Sequence, residues 1–163
     1  MNYFEDINNK ILDGNNLENW LGECRRSGKK IVFSNGCFDI LHRGHVEYLS
    51  KAAAKGDVLI IGLNTDASVK RLKGSSRPVN DEKARAFVLA ALGFVSAVTL
   101  FDEDTPYQLI NKVQPDVLVK GSDYKPEDIV GYDIVMAKGG RVETIDLVEG
   151  FSTTKTIEKL SCK

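Results

Sequence analysis

Overall charge and long hydrophobic runs are both lacking in this sequence of 163 residues. Its 22 Lys and Arg residues nearly balance its 23 Asp and Glu residues, so the formal net charge is −1. Without a basic excess, nothing favours a nucleic acid as partner, whereas a small anionic substrate needs only a local group of cations. No apolar run approaches the ~18 residues that a membrane span needs. We therefore expect small molecules as partners, and neither nucleic acid nor membrane.

Cysteine and histidine are scarce as well. The three cysteines, Cys24, Cys37 and Cys162, are scattered and lack the spacing of a metal site. An odd number of scattered thiols is typical of proteins in a reducing compartment. Residues 1–6 also lack the basic and apolar regions of a signal peptide. We therefore expect a cytoplasmic protein, and we read Cys37 as a small packing residue rather than as a nucleophile.

Five apolar or β-branched segments alternate with helical segments along the chain. The predicted strands cover residues 31–34, 57–64, 95–101, 116–120 and 141–147. Residues 57–64 form an unbroken apolar run, which indicates a strand buried on both faces, as in a parallel sheet. The pattern therefore predicts an α/β fold with a three-layer, doubly wound, five-stranded parallel sheet. With 42% apolar residues, residues 1–163 fit a single domain, in which residues 1–30 form an N-terminal helical extension.

The predicted helices fill the segments between these strands. They cover residues 17–26, 45–55, 67–72, 81–92, 105–112, 129–138 and about 152–160. Asn16 and Thr105 are the predicted N-caps of the first and the fifth of these helices. Residues 1–15 are polar and rich in Asn, and we expect them to fray.

Both histidines of the chain lie in the motif His42-Arg43-Gly44-His45, directly after the first predicted strand. At the start of a helix, residues three apart share one face, and the helix N-terminus adds free N–H groups and a partial positive charge. Two imidazoles, a glycine without a side chain and a helix N-terminus together predict a site for a polyphosphate. The alternative is a chance histidine cap on a surface helix, but the preceding strand and the Asn-Gly-x-Phe-Asp turn favour the site.

Residues 33–45 resemble the H-x-G-H nucleotidyltransferases, the superfamily that includes the cytidylyltransferases and the class I aminoacyl-tRNA synthetases. Three further segments, KGSSRPVN at 73–80, LVKGSDYKPE at 118–127 and EGFSTT at 149–154, are similar to one branch of that superfamily. The branch is the D-glycero-β-D-manno-heptose 1-phosphate adenylyltransferases, which make ADP-heptose. The similarity runs from about Ile31 to the C-terminus, and the combination of segments is specific to the branch.

The resemblance implies a Rossmann-like nucleotidyltransferase fold with strand order 3-2-1-4-5. It also implies transfer of AMP from ATP to the sugar 1-phosphate, with Mg²⁺ and release of pyrophosphate, for lipopolysaccharide core or related heptose glycan synthesis. By family analogy we expect a homodimer. The related bifunctional enzymes carry a sugar kinase before this domain, and 163 residues do not hold one. We therefore expect the stand-alone form of the adenylyltransferase domain, supplied by a separate kinase.

A sugar phosphate is already a nucleophile, so the implied reaction needs positioning and charge stabilisation rather than a general base. His42 and His45 are predicted to donate their ring N–H groups to phosphate oxygens as charge builds up. Lys73 and Arg77 lie on a Gly- and Ser-rich segment, and we predict that it closes over the triphosphate. The alternative for this segment is a plain solvated loop.

Further residues are expected to bind the nucleotide, because they lie in the first loop, at strand ends or at a helix start, or match a family position. They are Asn35, Gly36, Phe38, Gly44, Asn64, Asp66, Arg85, Lys120, Gly121, Asp123, Ser152, Thr153 and Thr154. For Arg85 the alternative is an exposed helical charge, and for Ser152 it is plain N-capping. Asp39 is a candidate Mg²⁺ ligand, with a structural role in its turn as the alternative.

Two other functions stay open at this point. One is a cytidylyltransferase of the same fold that acts on a polyol phosphate such as glycerol 3-phosphate. The related cytidylyltransferases carry an Arg-Thr pair before Glu-Gly, where this chain has Leu147-Val148, and the missing arginine argues against CTP. The other function is a non-catalytic nucleotide sensor, against which the presence of both histidines and of the loop cations argues.

Overall fold

A computed structural model describes residues 1–161 of the chain, and a five-stranded parallel sheet forms its centre. The strands are β1 (Ile31–Gly36), β2 (Val58–Asn64), β3 (Ala97–Phe101), β4 (Val117–Gly121) and β5 (Arg141–Ile145). They lie side by side in the order β3-β2-β1-β4-β5, and every pairing is parallel. The α/β fold class and the strand order are therefore confirmed.

Helices precede, connect and follow these strands. They are α1 (Tyr3–Asn8), α2 (Gly14–Arg26), α3 (Arg43–Ala53), α4 (Asp66–Lys73), α5 (Glu82–Ala90), α6 (Tyr107–Val113), a short 3-10 helix (Pro126–Asp128), α7 (Tyr132–Ala137) and α8 (Thr153–Ser161). Within residues 1–161, none of the helices is long and apolar enough to cross a membrane.

Helices cover both faces of the sheet. Because successive side chains of a strand point to opposite sides, β1 contributes to a buried cluster on each face. On one face, Phe33 of β1 shares a buried cluster with Leu21 of α2 and Ile110 of α6. On the other face, Val32 of β1 shares a second cluster with Leu49 of α3. Each such side chain stabilises the fold by about 1.5–3 kcal/mol when fully buried. The two clusters thereby fix β1, the strand that precedes the histidine motif.

The chain changes direction across the sheet between β1 and β4. From β1 it runs to β2 and β3 on one side, and it returns to β4 and β5 on the other. In open α/β sheets, ligands bind in the crevice outside the carboxyl ends of the strands at such a switch point. The loop after β1, which leads into the histidine motif, opens into this crevice.

The prediction that residues 1–15 fray is wrong. After α1, the chain adds to the open edge of β3: Leu12 N–H donates to the Val98 carbonyl, and Val98 N–H donates to the Lys10 carbonyl, both at 2.8 Å. These bonds satisfy edge groups of β3 that would otherwise remain unpaired. Leu12 is buried in the same cluster as Phe33. The division of the chain into one domain with an N-terminal extension stays a prediction.

The two predicted N-caps, Asn16 and Thr105, are also wrong. α2 begins earlier, at Gly14, so Asn16 lies inside the helix, where its side-chain amide donates to Asp13 at 3.3 Å. α6 begins after Pro106, which occupies the N-cap position in place of Thr105. The helix expected at 129–138 is shorter as well, because residues 129–131 form a turn before α7, with Gly131 in the left-handed region at the N-cap position.

Candidate active site

A cleft of about 760 Å³ opens at the carboxyl ends of β1 and β4. Its walls come from the loop after β1, the first turn of α3, residues 72–77, the end of β4 and residues 147–154. Fifteen of the predicted site residues line it: Asn35, Gly36, Phe38, Asp39, His42, Gly44, His45, Lys73, Arg77, Lys120, Gly121, Asp123, Ser152, Thr153 and Thr154. Segments far apart in sequence therefore meet where the sheet topology favours a ligand.

The two histidines form a stacked pair at the start of α3. His42 is the N-cap, and its Nδ1 accepts the backbone N–H of His45 at 3.4 Å. A ring nitrogen that accepts carries no proton, which assigns the proton of neutral His42 to Nε2. The two rings stack with centroids 3.8 Å apart and planes 15° apart. Because Nδ1 of His45 is buried, Nε2 is the nitrogen of this ring that a ligand can reach.

Both histidines are neutral at neutral pH. Burial, helped by the neighbouring His42 and opposed in part by the Ile40 carbonyl, lowers the pKa of His45 to about 4. Burial also lowers the pKa of His42 below its usual value. His42 therefore offers its Nε2–H to an anion without carrying a charge of its own.

Gly44 lies between the histidines at a point where the packing leaves little room for a side chain. A Cβ atom there would stand 3.0 Å from Cβ of Phe151 and 3.1 Å from Cε1 and Nδ1 of His42. The glycine thus lets residues of the C-terminal segment approach the first turn of α3 closely.

Asp39 holds the segment that carries the loop cations. Its Oδ2 accepts Nε of Arg77 at 2.6 Å, and its Oδ1 accepts the backbone N–H groups of Val79 and Asn80 at 2.7 and 3.0 Å. Burial would raise the pKa of Asp39, but the donors of Asn80, Arg77 and Val79 outweigh it and keep the pKa below 3.8. Both oxygens are occupied, which favours the structural role. The Mg²⁺ role of Asp39 stays a prediction.

The loop cations stand at the rim of the cleft. Arg77 uses Nε for Asp39, which leaves its two Nη groups for a ligand. Lys73 is exposed at the end of α4. Within the described part of the chain, no group of three or more His, Cys, Asp and Glu residues could hold a metal ion.

A second cation lies deeper, on the β4 side. Nζ of Lys120 donates to the backbone carbonyl of Asn35 at 3.4 Å. Burial lowers the pKa of Lys120 to about 8, although the charge of Asp123 opposes the shift. Oδ1 of Asn35 is buried and has no hydrogen-bond partner among residues 1–161. A partly desolvated amine with one long hydrogen bond favours an anionic group beside it.

Arg85, Asn64 and Asp66 lie beneath the cleft rather than in its wall. Arg85 is only 2% exposed. Its Nη1 donates to the carbonyls of Cys37 and Asn64 at 2.7 and 2.9 Å, its Nη2 to Asp66 at 2.7 Å, and its Nε to the Asn80 carbonyl at 3.0 Å. It is thus not an exposed helical charge, but it ties together three loops. Direct nucleotide contact by these residues stays a prediction.

The start of α8 closes one side of the cleft. Oγ of Ser152 accepts the backbone N–H of Lys155 at 3.5 Å, a contact that fits weak N-capping. Oγ1 of Thr153 donates to the Ile40 carbonyl at 3.4 Å and so joins α8 to the loop before α3. Residues 152–154 therefore combine helix-start contacts with a position in the cleft wall.

Seven cleft residues are not among the predicted site residues: Cys37, Tyr48, Leu72, Tyr124, Leu147, Val148 and Phe151. Tyr124 and Phe151 belong to branch-specific segments, but a segment match does not indicate which way a side chain points. Burial raises the pKa of the Cys37 thiol, which keeps it protonated at neutral pH and fits a packing role. Cys162 lies outside the described residues.

Curated relatives are similar to the chain over most of its length. It is 55% identical over 155 residues to the bifunctional protein HldE of Syntrophotalea carbinolica, which covers 95% of this chain and 32% of the relative. It is 62% identical over 139 residues to the bifunctional protein HldE of Campylobacter jejuni, covering 85% of this chain and 29% of the relative. The chain thus spans about a third of the length of the curated relatives it matches.

Solved structures share the fold. The lipopolysaccharide core biosynthesis protein from Thermoplasma volcanium has a TM-score of 0.61 at 29% identity, covering 74% of this chain and 98% of that one. Pantoate-beta-alanine ligase from Francisella tularensis has a TM-score of 0.62 over 90% of this chain and 72% of its own, and its 15% identity supports the fold alone. Residues 33–159, more than half of the chain, match the family model described as cytidylyltransferase-like. The chain therefore belongs to the cytidylyltransferase-like family.

Proposed function

We propose that this chain is a nucleotidyltransferase that transfers AMP from ATP to D-glycero-β-D-manno-heptose 1-phosphate, giving ADP-heptose and pyrophosphate. One observation carries the proposal: the stacked, neutral pair of His42 and His45 at the start of α3, in a cleft with cations on two sides. Such an arrangement suits two anionic substrates that must meet at one phosphorus atom.

The reaction needs no proton transfer. An oxygen of the sugar phosphate attacks the α-phosphorus of ATP, and the bond from this phosphorus to the oxygen of the β-phosphate breaks. Pyrophosphate leaves with the electron pair. The chain's contribution is therefore to hold the two anions in line and to stabilise the charge that builds up on the phosphate oxygens.

The histidines act as hydrogen-bond donors in this mechanism. Nε2–H of His42 and Nε2–H of His45 donate to oxygens of the α- and β-phosphates, while Nδ1 of His42 stays on the N–H of α3. A single preorganised donor of this kind contributes about 10²–10³ in rate, or roughly 3–4 kcal/mol.

Three cations, Arg77, Lys73 and Lys120, stabilise the negative charge of the substrate phosphates. Arg77, oriented through Nε by Asp39, offers its Nη groups to phosphate oxygens, and Lys73 closes over the triphosphate from the end of α4. Lys120 supplies a charge from the β4 side, where binding of an anion raises its pKa again. The hydroxyls of residues 152–154 complete the wall on the α8 side.

Mg²⁺ fits this site as an ion bound to the phosphates of ATP rather than as an ion held by protein ligands. The described residues offer no cluster of ligands, and both oxygens of Asp39 are occupied. Mg²⁺ commonly keeps several waters and binds mainly through substrate phosphates, where it neutralises charge. No step assigned to the chain's own residues depends on a protein ligand to the metal.

The assignment of heptose 1-phosphate as acceptor and of adenine as the base rests on similarity at separated segments of the sequence. The relatives named HldE share 55–62% identity with this chain, and the Thermoplasma neighbour is described as a lipopolysaccharide core biosynthesis protein. Leu147, which stands where the related cytidylyltransferases carry arginine, lines the cleft, so no guanidinium is available there for CTP. We further propose a cytoplasmic location, a homodimer and a role in lipopolysaccharide core or related heptose glycan synthesis.

Isotope exchange separates an enzyme from a nucleotide sensor. Labelled pyrophosphate is mixed with ATP, Mg²⁺ and the protein, with and without heptose 1-phosphate. We expect label to enter ATP only when the sugar phosphate is present, because the reverse reaction starts from ADP-heptose and pyrophosphate. Binding of ATP without any sugar-dependent exchange would instead support the sensor.

A further inference from the structure

Four rings and a guanidinium form a column at the start of α3. Phe38 meets His45 edge-on with centroids 5.2 Å apart, and His45 stacks on His42 at 3.8 Å. Phe151 stacks on the outer side of His42, with centroids 6.1 Å apart and planes 28° apart. The guanidinium of Arg43 covers Phe151 at 5.8 Å from its ring centroid. His42 thus has two aromatic neighbours, His45 and Phe151.

The position of Phe151 is fixed from two directions. Gly44 provides the space for it, since a Cβ atom on residue 44 would come within 3.0 Å of Cβ of Phe151. Two residues further on, Thr153 donates to the Ile40 carbonyl at 3.4 Å and ties the segment to the loop before α3. Phe151 nevertheless remains 41% exposed, so its ring covers His42 from the solvent side.

The ring of His42 needs such a support. Rotation about the bond between Cβ and the ring has broad minima, so a histidine held by one weak contact samples several orientations. Its bond to the His45 N–H is long, at 3.4 Å, and the other face already contacts His45. A wall on the remaining face restricts the rotation that would move Nε2 away from a phosphate.

We propose that Phe151 is a positioning residue for His42, holding the imidazole between its own ring and that of His45 so that Nδ1 caps α3 and Nε2 faces the cleft. Phe151 touches no reacting atom in this role. Its effect on rate rests on the proposed adenylyl transfer, but its effect on the His42 ring does not. The C-terminal segment thereby becomes part of the catalytic apparatus, because the histidine is held only while residues 151–153 are seated.

Imidazole NMR tests the contact without any substrate, because the chain has only two histidines. His42→Gln assigns the two sets of ring signals. In Phe151→Ala we expect the His42 signals to lose their ring-current shift and to titrate at a higher pH, since the burial that lowers the pKa of this ring is reduced. The His45 signals should move less. Phe151→Tyr, which keeps the ring, should retain the wild-type signals.

Phe4→Ala, which removes another exposed phenylalanine far along the chain in α1, is the matched control and should leave both histidines unchanged. In the adenylyl transfer assay, Phe151→Ala should lower kcat by about 10- to 100-fold, with KM for ATP changed much less. Phe151→Tyr should restore the rate.

The outcomes separate the two proposals. Unchanged His42 signals in Phe151→Ala overturn the positioning role, and so do altered signals with a wild-type kcat. A rise in KM for ATP at constant kcat also overturns it, since the ring would then bind the nucleotide directly. If the wild-type protein transfers no adenylyl group, the proposed function fails, while the NMR comparison still decides whether Phe151 holds His42.

Discussion

Replacement of Asp39 by asparagine tests how the loop cations are held. The carboxylate is 1% exposed in its side chain, and it accepts one hydrogen bond from the Arg77 side chain and two from backbone N–H groups. In Asp39→Asn, the amide oxygen can keep the two backbone donors. The amide nitrogen then faces Nε of Arg77 at the former 2.6 Å contact, where two donors oppose each other.

The size of the expected loss of stability follows from the burial of the Asp39–Arg77 ion pair. Arg77 is also largely buried, with 15% of its side chain exposed, so loss of its partner leaves a charge with little water around it. Breaking a buried pair costs about 3–5 kcal/mol, and a single charge-assisted hydrogen bond about 1.5–3 kcal/mol. We expect a loss of about 2–4 kcal/mol in the free energy of unfolding. For a chain of this length that corresponds to a fall in Tm of roughly 5–15 °C.

The pH dependence of the free energy of unfolding gives an independent test of the role of Asp39. Because the pKa of Asp39 lies below 3.8 in the folded state, the unfolded chain binds more protons at acidic pH. The carboxylate therefore stabilises the fold above pH 3.8, and this stabilisation disappears as the pH falls through the folded-state pKa. The difference between wild type and Asp39→Asn should shrink over that acidic range.

Urea unfolding at neutral and acidic pH measures both effects. Asp102→Asn is the matched control, because Asp102 also pairs with an arginine, Arg71, but is 61% exposed. An exposed pair contributes about 0–1 kcal/mol, so this variant should stay close to wild type. If Asp39→Asn unfolds at the same urea concentration as Asp102→Asn, or if its deficit is unchanged at acidic pH, the assigned role of Asp39 is wrong.

Four further predictions concern residues of the proposed site. His42→Ala and His45→Ala should each lower kcat by about 10²–10⁴ in a pyrophosphate-release assay, and more than half of the wild-type rate in either variant would contradict its role as donor. Stability should fall as the pH drops from 6.5 to about 4, because the unfolded chain protonates His45 first; His45→Gln should flatten this part of the unfolding profile. Residues 70–80 should gain hydrogen-exchange protection with ATP, and unchanged protection would reject loop closure. Arg77→Lys should lose at least about tenfold in kcat/KM, since lysine offers neither an Nε for Asp39 nor a fork for phosphate.

The sequence predicts the sheet and the histidine pair because both depend on local pattern. An unbroken apolar run such as residues 57–64 indicates a buried parallel strand, and a spacing of three at a helix start places His42 and His45 on one face. The frayed N-terminus was a wrong prediction for the opposite reason. Residues 10–12 are ordered by the edge of β3, a partner about 85 residues away, and their own pattern carries no sign of it.

The supporting contacts of the site are likewise invisible to local pattern. Asp39 and Arg77 are 38 residues apart, and Arg85 reaches the carbonyl of Cys37 across 48 residues. The sequence indicates that cations are present, but only the fold decides which of them faces the cleft and which ties loops together. Phe151 illustrates the same limit, because the EGFSTT segment indicates a family but not that Phe151 lies beside His42 and Gly44.

Substrate preference is the sharpest test of the proposed adenylyl transfer from ATP to heptose 1-phosphate. The measurement is kcat/KM by pyrophosphate release at saturating Mg²⁺, for ATP and CTP each combined with D-glycero-β-D-manno-heptose 1-phosphate and with glycerol 3-phosphate. A site whose buried polar groups fit one substrate can reject another by orders of magnitude, because the wrong one leaves them unpaired. We expect kcat/KM for ATP with heptose 1-phosphate to exceed that of every other pair by about 10² or more. A higher kcat/KM for CTP with glycerol 3-phosphate would contradict it.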